Sequence, residues 1–151
     1  MTDSKHRVET ELTALEVPAQ SDYARVVRMT AANLATLAGF GIEEVDDVRM
    51  AAEEAFIYSL ATNPGEHLSI RFAVSGRRLS MDFVLGHDWR ADDPDEPALA
   101  YSALILQAMC DVYEISDEPD ITLHLEKEAG DANGRGFKGI PQARLEQGAY
   151  P

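Results

Sequence analysis

The chain has one cysteine, Cys110, and no long apolar run. One cysteine excludes an internal disulfide and a zinc site built on several cysteines, and it is typical of a reducing compartment, so we expect a cytoplasmic protein. A membrane-spanning helix needs roughly 18–20 apolar residues, and the sequence has no such run. Because Met1 to Arg7 are polar, we expect neither a signal peptide nor a membrane partner.

Positive charge is scarce. Lys and Arg number 13 against 27 Asp and Glu, which gives a formal charge of -14 and an isoelectric point near 4.5. A field of this sign repels nucleic acid and anionic lipid. We therefore predict no direct binding to nucleic acid.

Sequence motifs that are typical of common enzyme classes are also absent. The sequence contains no GxxxxGK[ST] and no GxSxG, and the Gly134-Arg135-Gly136 segment of the tail lacks the strand context that a GxGxxG nucleotide-binding motif requires. The four histidines are scattered, and none lies at metal-ligand spacing from another histidine or from a cysteine, so we predict no metal site. Cys110 lies in an apolar stretch, which is typical of an unreactive core thiol.

The elements that the sequence does predict fit one α+β domain. A length of 151 residues and 45% hydrophobic residues suit a single core. Apolar periodicity predicts helices over 22–38, 43–63 and 98–110, and strands over 8–17, 67–74, 79–85, 111–116 and 120–126. We assign residues 8–127 to the domain and the Gly-rich residues 128–151 to a mobile tail.

Three details of these elements can be checked. Ser21 is a plausible N-cap for the first helix. In the first strand, Val8, Thr10, Leu12 and Ala14 share one side. The apolar faces of the first two helices comprise Tyr23, Val27, Ala31, Leu34 and Leu37, and then Ile42, Val45, Val48, Ala52, Ala55, Phe56 and Leu60.

Two adjacent acids, Glu53 and Glu54, interrupt the apolar stretch MAAEEAFIYSL of the second helix. Neighbouring positions lie about 100° apart on a helix, so one glutamate can face solvent while the other points toward a cleft. Two solvated helix acids are the simpler interpretation.

The string VPAQSDYARVVRMTAANLATLAGFGIEEVDDVRMAAEEAF, together with SALILQAMCDVYEIS, resembles the RsbW-type anti-sigma factors. These are serine kinases of the GHKL superfamily with the Bergerat ATP-binding fold, and the resemblance covers about residues 8–127. It implies a two-layer α+β sandwich, with a mainly antiparallel sheet covered on one face by about three helices. A fortuitous match to another small α+β domain stays open.

The resemblance implies a catalytic role for Glu54. In the family, the glutamate of an E-A-x-x-N motif is the general base toward a serine of the partner, and the asparagine holds Mg²⁺ and phosphate. Here the glutamate is Glu54 and the asparagine position is Tyr58. A neutral phenol is a poor Mg²⁺ ligand compared with carboxylate, carbonyl and water oxygens.

The other nucleotide-binding positions also depart from the family pattern. In the family, the aspartate of a D-x-G-x-G/A motif recognises the adenine amino group, and this aspartate corresponds to Leu85. The first glycine of the same motif corresponds to His87. The glycines that open the last helix correspond to Leu99 and Tyr101, whose side chains block close approach of phosphate to the backbone. The acidic segment 86–97, with Asp88, Asp92, Asp93, Asp95 and Glu96, would also repel a nucleotide if it lay near the cleft.

By resemblance the chain is a homodimeric regulator of transcription and stress response. It would bind a sigma factor, a STAS-domain anti-anti-sigma protein, or both, with ATP and Mg as possible cofactors. Two hypotheses follow: a binding module that has lost nucleotide and acts by occlusion, or an active ATP-dependent serine kinase with Glu54 as base. Tyr58, Leu85, Leu99 and Tyr101 favour the first hypothesis, whereas Glu54 keeps the second open.

Overall fold

The structure, a computed structural model, describes residues 9–62, 65–85, 97–118 and 120–130, and only the backbone of residues 97–99. Five strands and three α-helices follow one another along this part of the chain. In order they are β1 (Thr10–Pro18), a short 3-10 helix (Ser21–Tyr23), α1 (Ala24–Leu37), α2 (Ile42–Thr62), β2 (His67–Ser75), β3 (Arg78–Val84), α3 (Pro97–Met109), β4 (Val112–Ser116) and β5 (Thr122–Glu128).

The strands form one five-stranded sheet in the order β1-β2-β3-β5-β4, and each neighbouring pair is antiparallel. Strand register places apolar side chains in rows across one face. One such row consists of Leu15, Ile70, Phe83, Leu123 and Ile115. The central members Ile70, Phe83 and Leu123 are almost completely buried. Alternation along each strand therefore gives the sheet one apolar face and one polar face.

The helices cover the apolar face. Val27 and Ala31 of α1 and Val48, Ala52 and Phe56 of α2 are fully buried in the same core as the sheet rows. α2 lies between α1 and α3 and contacts both of them. The predicted α+β sandwich with an antiparallel sheet and three helices is confirmed, and it is consistent with a GHKL-like fold.

The turn between α1 and α2 depends on local backbone chemistry. Gly39 has a φ of 84°, a left-handed conformation that glycine adopts without a Cβ clash. The Glu44 carboxylate accepts a hydrogen bond from the Gly41 N–H at 2.9 Å, which is one half of a capping box at the start of α2. The same carboxylate accepts the Gly130 N–H, so the turn is tied to the chain beyond β5.

The structure corrects the predicted N-cap of α1 and determines which side of β1 is buried. Ser21 does not cap α1, because a 3-10 turn comes first and the N-cap position is Tyr23, without a side-chain hydrogen bond. In β1 the exposed side is the one with Thr10, Leu12 and Ala14, and the side toward the core has Thr13, Leu15 and Val17. The local alternation fitted either face, and the register with β2 decides it.

Two residues predicted at the inner faces of the helices are exposed. Leu37, at the end of α1, is 74% exposed, and Ile42, the first residue of α2, is 85% exposed. Both lie at helix ends next to the Gly39–Gly41 turn, where the helices leave the sheet. The inner positions in the middle of the helices, such as Val27, Ala31, Val48 and Phe56, are buried as predicted.

The ordered structure continues past residue 127. β5 runs through Glu128, the Ala129 N–H donates to the Arg77 carbonyl at 2.7 Å, and Gly130 is hydrogen-bonded on both sides by Arg77 and Glu44. Of the predicted tail of residues 128–151, residues 131–151 lie outside the described residues, and so do residues 86–96 of the predicted loop of residues 86–97. Within the described part of the chain, no helix is both long enough and apolar enough to cross a membrane.

Candidate functional site

The two adjacent glutamates of α2 point in different directions. Glu53 faces α1, and its carboxylate accepts a hydrogen bond from Arg28 at 3.3 Å. Glu54 faces α3, where the Ser102 hydroxyl donates to its Oε1 at 2.5 Å. Ser102 is only 5% exposed, so this contact forms at the edge of the core. Glu54 is thus a half-buried carboxylate that already accepts a serine hydroxyl.

Tyr58 lies one helical turn after Glu54 and is 3% exposed. Its phenol hydrogen-bonds Tyr113 of β4, across the gap between the helical layer and the sheet. Burial raises the pKa of Tyr113, and the hydrogen bond with Tyr58 opposes this rise. Tyr58 is therefore a packed core side chain with a polar tip that has a partner.

The remaining predicted site residues have different environments. Leu85 follows β3, is 3% exposed, and donates its backbone N–H to the Ile121 carbonyl at 2.7 Å. His87 lies outside the described residues. Leu99 lies in the first turns of α3, where only the backbone is described, and Tyr101 is 66% exposed beside the buried Ser102.

Ser102 and Tyr113 were not singled out from the sequence, although they contact the two central predicted residues. Ser102 is the one hydroxyl in the apolar stretch SALILQAM, a signal that could have indicated a buried partner for an acid. Tyr113 could not be paired with Tyr58 in this way, because the contact depends on how α2 lies over β4.

The polar face of the sheet contains a second cluster of ionisable groups. His124 of β5 hydrogen-bonds Asp82 of β3 through Nδ1 and Glu126 through Nε2, the latter at 2.7 Å. Burial lowers the pKa of His124, but the two carboxylates outweigh this effect, so the pKa lies above its usual 6.5. The hydrogen bond from His124 holds the pKa of Glu126 below its usual value, and Arg78, 2.8 Å from Glu126, acts in the same direction.

Cys110 directly follows α3 and packs against the core. Burial raises the pKa of its thiol to about 11, and the nearby charge of Lys127 only partly offsets this. A thiol with this pKa is almost entirely protonated at neutral pH, so it is a weak nucleophile. In the described residues, no group of three His, Cys, Asp or Glu side chains is arranged to hold a metal ion.

No protein-family model matches the chain. Over 76 aligned residues it is 32% identical to the serine-protein kinase RsbW of Bacillus subtilis. The match covers 44% of this chain and 44% of that kinase, so it spans less than half the length of that relative. This partial similarity is to the same kind of protein that the sequence resembles.

Proposed function

We propose that the chain is an anti-sigma regulatory protein of the RsbW kind, which binds a sigma factor, a STAS-domain anti-anti-sigma protein, or both. The proposal is supported by the ordered resemblance along residues 8–127, by the partial identity with RsbW, and by an α+β sandwich consistent with a GHKL-like fold. In this proposal the chain is a cytoplasmic homodimer and prevents the sigma factor from reaching RNA polymerase by covering its surface.

The observation that carries the choice of mechanism is the environment of Tyr58. By resemblance this position should hold an asparagine that contacts Mg²⁺ and phosphate, but here a phenol packs at 3% exposure with its oxygen bonded to Tyr113. Mg²⁺ prefers carboxylate, carbonyl and water oxygens and does not readily give up its hydration shell. The residues present therefore fit Mg-ATP poorly, and we propose that binding and occlusion occur without phosphoryl transfer.

Two other positions support the same choice. Leu85, at the position of the adenine-reading aspartate, has no side-chain acceptor for an exocyclic amine, and it is 3% exposed. Tyr101 and Leu99 replace glycines whose lack of a side chain would let phosphate approach the backbone of the helix.

The alternative function is an active ATP-dependent serine kinase, and the geometry of Glu54 favours it. Its carboxylate accepts a hydrogen bond from the Ser102 hydroxyl at 2.5 Å, so it is able to accept a hydroxyl donor, as a general base must. In such a kinase Glu54 would accept the proton of the partner's serine. The ATP and Mg that the resemblance implies would supply the phosphoryl group and charge neutralisation.

Calorimetric titration with ATP and with ADP, each with and without Mg²⁺, separates the two functions. A protein that acts by occlusion gives no heat at millimolar nucleotide while it still binds a purified sigma factor of its organism in a parallel titration. Micromolar, Mg²⁺-dependent nucleotide binding would overturn the occlusion mechanism and favour the kinase. Failure to bind any sigma factor or STAS protein would contradict both functions.

A matched pair of variants tests the base. If a STAS partner is phosphorylated, Glu54→Ala abolishes the phosphorylation and leaves partner binding intact. Glu43→Ala, an exposed acid in the first turn of the same helix, serves as the control and retains phosphorylation. Full phosphorylation by Glu54→Ala would refute the role of Glu54.

A further inference from the structure

The outer surfaces of α1 and α2 enclose an open cleft of about 430 Å³. Its lining side chains are Arg25, Arg28 and Met29 from α1 and Arg49, Met50 and Glu53 from α2. The cleft lies on the side of the helical layer away from the sheet, and it is separate from the contact between Glu54 and Ser102, which faces α3. None of its lining residues was assigned a role above.

The cleft concentrates the few cations of an acidic protein. The described residues contain seven Lys and Arg side chains, Arg25, Arg28, Arg49, Arg71, Arg77, Arg78 and Lys127, and three of these line the cleft. The chain as a whole has a formal charge of -14. A cationic surface on such a background attracts an anionic group locally, while the rest of the protein repels it.

The arginines of the cleft have spare hydrogen-bonding capacity. Arg28 contacts Glu53 through Nη1 at 3.3 Å, Arg49 contacts Asp46 through Nη2 at 2.9 Å, and Arg25 has no ion pair with any described acid. A guanidinium carries five N–H donors in a planar fork that matches a carboxylate. The three side chains therefore have donors left for carboxylates of another molecule.

Two methionines give the cleft an apolar component. Met29 is 47% exposed and Met50 is 56% exposed, and they lie on opposite helices. Exposed methionines adapt their shape to apolar side chains and are frequent at surfaces that bind peptides. A small hydrophilic anion would leave this apolar surface in water.

We propose that the cleft between α1 and α2 binds an acidic peptide segment of a partner protein, with the carboxylates on the arginines and an apolar side chain between the two methionines. This inference deepens the proposed function and rests on it, because the partner is a sigma factor or an anti-anti-sigma protein. Charge complementarity at such a site raises the association rate and excludes basic partners.

The methionines allow a direct test in the full-length chain. Among the described residues, Met29 and Met50 line the cleft, whereas Met81 is 2% exposed in the core and Met109 is partly buried. The chain is labelled with ¹³C at the methionine methyl groups, and its spectrum is recorded during titration with a synthetic amphipathic peptide of glutamate, leucine and alanine. Binding shifts the Met29 and Met50 signals and leaves Met81 in place.

Three probes define the chemistry. A peptide with lysine for glutamate, a peptide with alanine for leucine, and inorganic phosphate are each expected to shift the two signals much less than the acidic amphipathic peptide. Equal shifts with phosphate alone would overturn the peptide assignment and indicate a small-anion site. No shift of Met29 or Met50 with the acidic peptide would overturn the proposal altogether.

Charge reversal provides the matched control. Arg25→Glu combined with Arg49→Glu is expected to weaken the peptide affinity about tenfold or more. The control Arg71→Glu, which changes an exposed arginine on the polar face of the sheet, leaves the affinity within about twofold of wild type.

The same variants are then titrated with a purified sigma factor. If wild type binds the factor and the double variant binds it equally well, the cleft is not the docking site although the proposed function stands. If wild type binds the peptide but no sigma factor or STAS protein, the proposed function fails and the cleft site stands.

Discussion

The His124 cluster makes stability depend on pH in a way that can be calculated in sign and magnitude. Protonated His124 donates to Asp82 and to Glu126, and Arg78 lies on the far side of Glu126. Glu114 is the cross-strand neighbour of His124 on β4, and Arg71 is the neighbour of Asp82 on β2. The substitution His124→Gln removes the titrating group and keeps a side chain that can hydrogen-bond.

The sign follows from the directions of the two pKa shifts. Because the pKa of His124 is above 6.5 in the folded chain, its contribution is fully present below 6.5 and is lost as the pH rises through the folded pKa. Because the pKa of Glu126 is below 4.5, its contribution is present above 4.5 and is lost as the pH falls through the folded pKa. The cluster therefore stabilises the fold most between these limits.

The partial solvent exposure of these side chains limits the free energy that the cluster contributes to folding. The side chains of His124, Asp82 and Glu126 are 26%, 37% and 19% exposed, so solvent screens both ion pairs. Each such pair contributes about 0.2–1 kcal/mol, and the two together contribute about 1 kcal/mol. For a domain of this size, a loss of about 1 kcal/mol lowers Tm by about 4 °C.

Urea unfolding of the wild type and of His124→Gln, measured in steps from pH 5.5 to pH 8.5, checks this value. The wild type is expected to lose about 1 kcal/mol more than the variant across this range. His67→Gln, at the exposed first residue of β2, is the control and follows the wild-type profile. If His124→Gln and the wild type lose stability in parallel, the cluster does not titrate as described.

Three further outcomes are expected. Gly39→Ala loses about 1–2 kcal/mol of unfolding free energy in urea, because φ is 84° and the new Cβ would lie 3.3 Å from Arg77 Nη1; an unchanged midpoint would contradict this. Phe83→Ala, at 0% exposure, costs about 3–5 kcal/mol, whereas the apolar control Ile42→Ala, at 85% exposure, stays within about 0.5 kcal/mol, and similar losses in both would refute the assignment of the core. A chain ending at Gly130 keeps the thermal midpoint of the full chain, whereas one ending at Glu128 melts earlier because it loses the hydrogen bonds of Ala129 and Gly130; coincident melting curves would show that these bonds add nothing.

The order and type of the elements could be predicted because the signals are local. The hairpin of β2 and β3 has alternating apolar residues on both sides of Gly76, whose φ of 61° suits the turn. The core of α2 was identified from the spacing of Val48, Ala52 and Phe56. Local signals do not determine the buried side of β1, because this side depends on which residues of β2 lie opposite.

The contacts of the site were less accessible from the sequence. Glu54 and Tyr58 could be singled out by their spacing and by the resemblance, but Ser102 lies 48 positions from Glu54 and Tyr113 lies on another layer. Likewise, Arg25, Arg28 and Arg49 read as ordinary surface residues until the packing of α1 on α2 brings them to one cleft. Such clusters result from tertiary packing, which no window of the sequence contains.

The position of β5 in the sheet has a consequence for synthesis of the chain. Among the described strands β5 is the last to leave the ribosome, yet it lies between β3 and β4, and β4 pairs with no other described strand. Until residues 122–128 emerge, Phe83 and Met81 lack their cross-strand neighbours on the β5 side, and β4 lacks the one strand that it pairs with in the described part of the chain. Nascent chains that stall before β5 thus expose an open sheet edge and apolar core residues, which makes them substrates for chaperones and proteases.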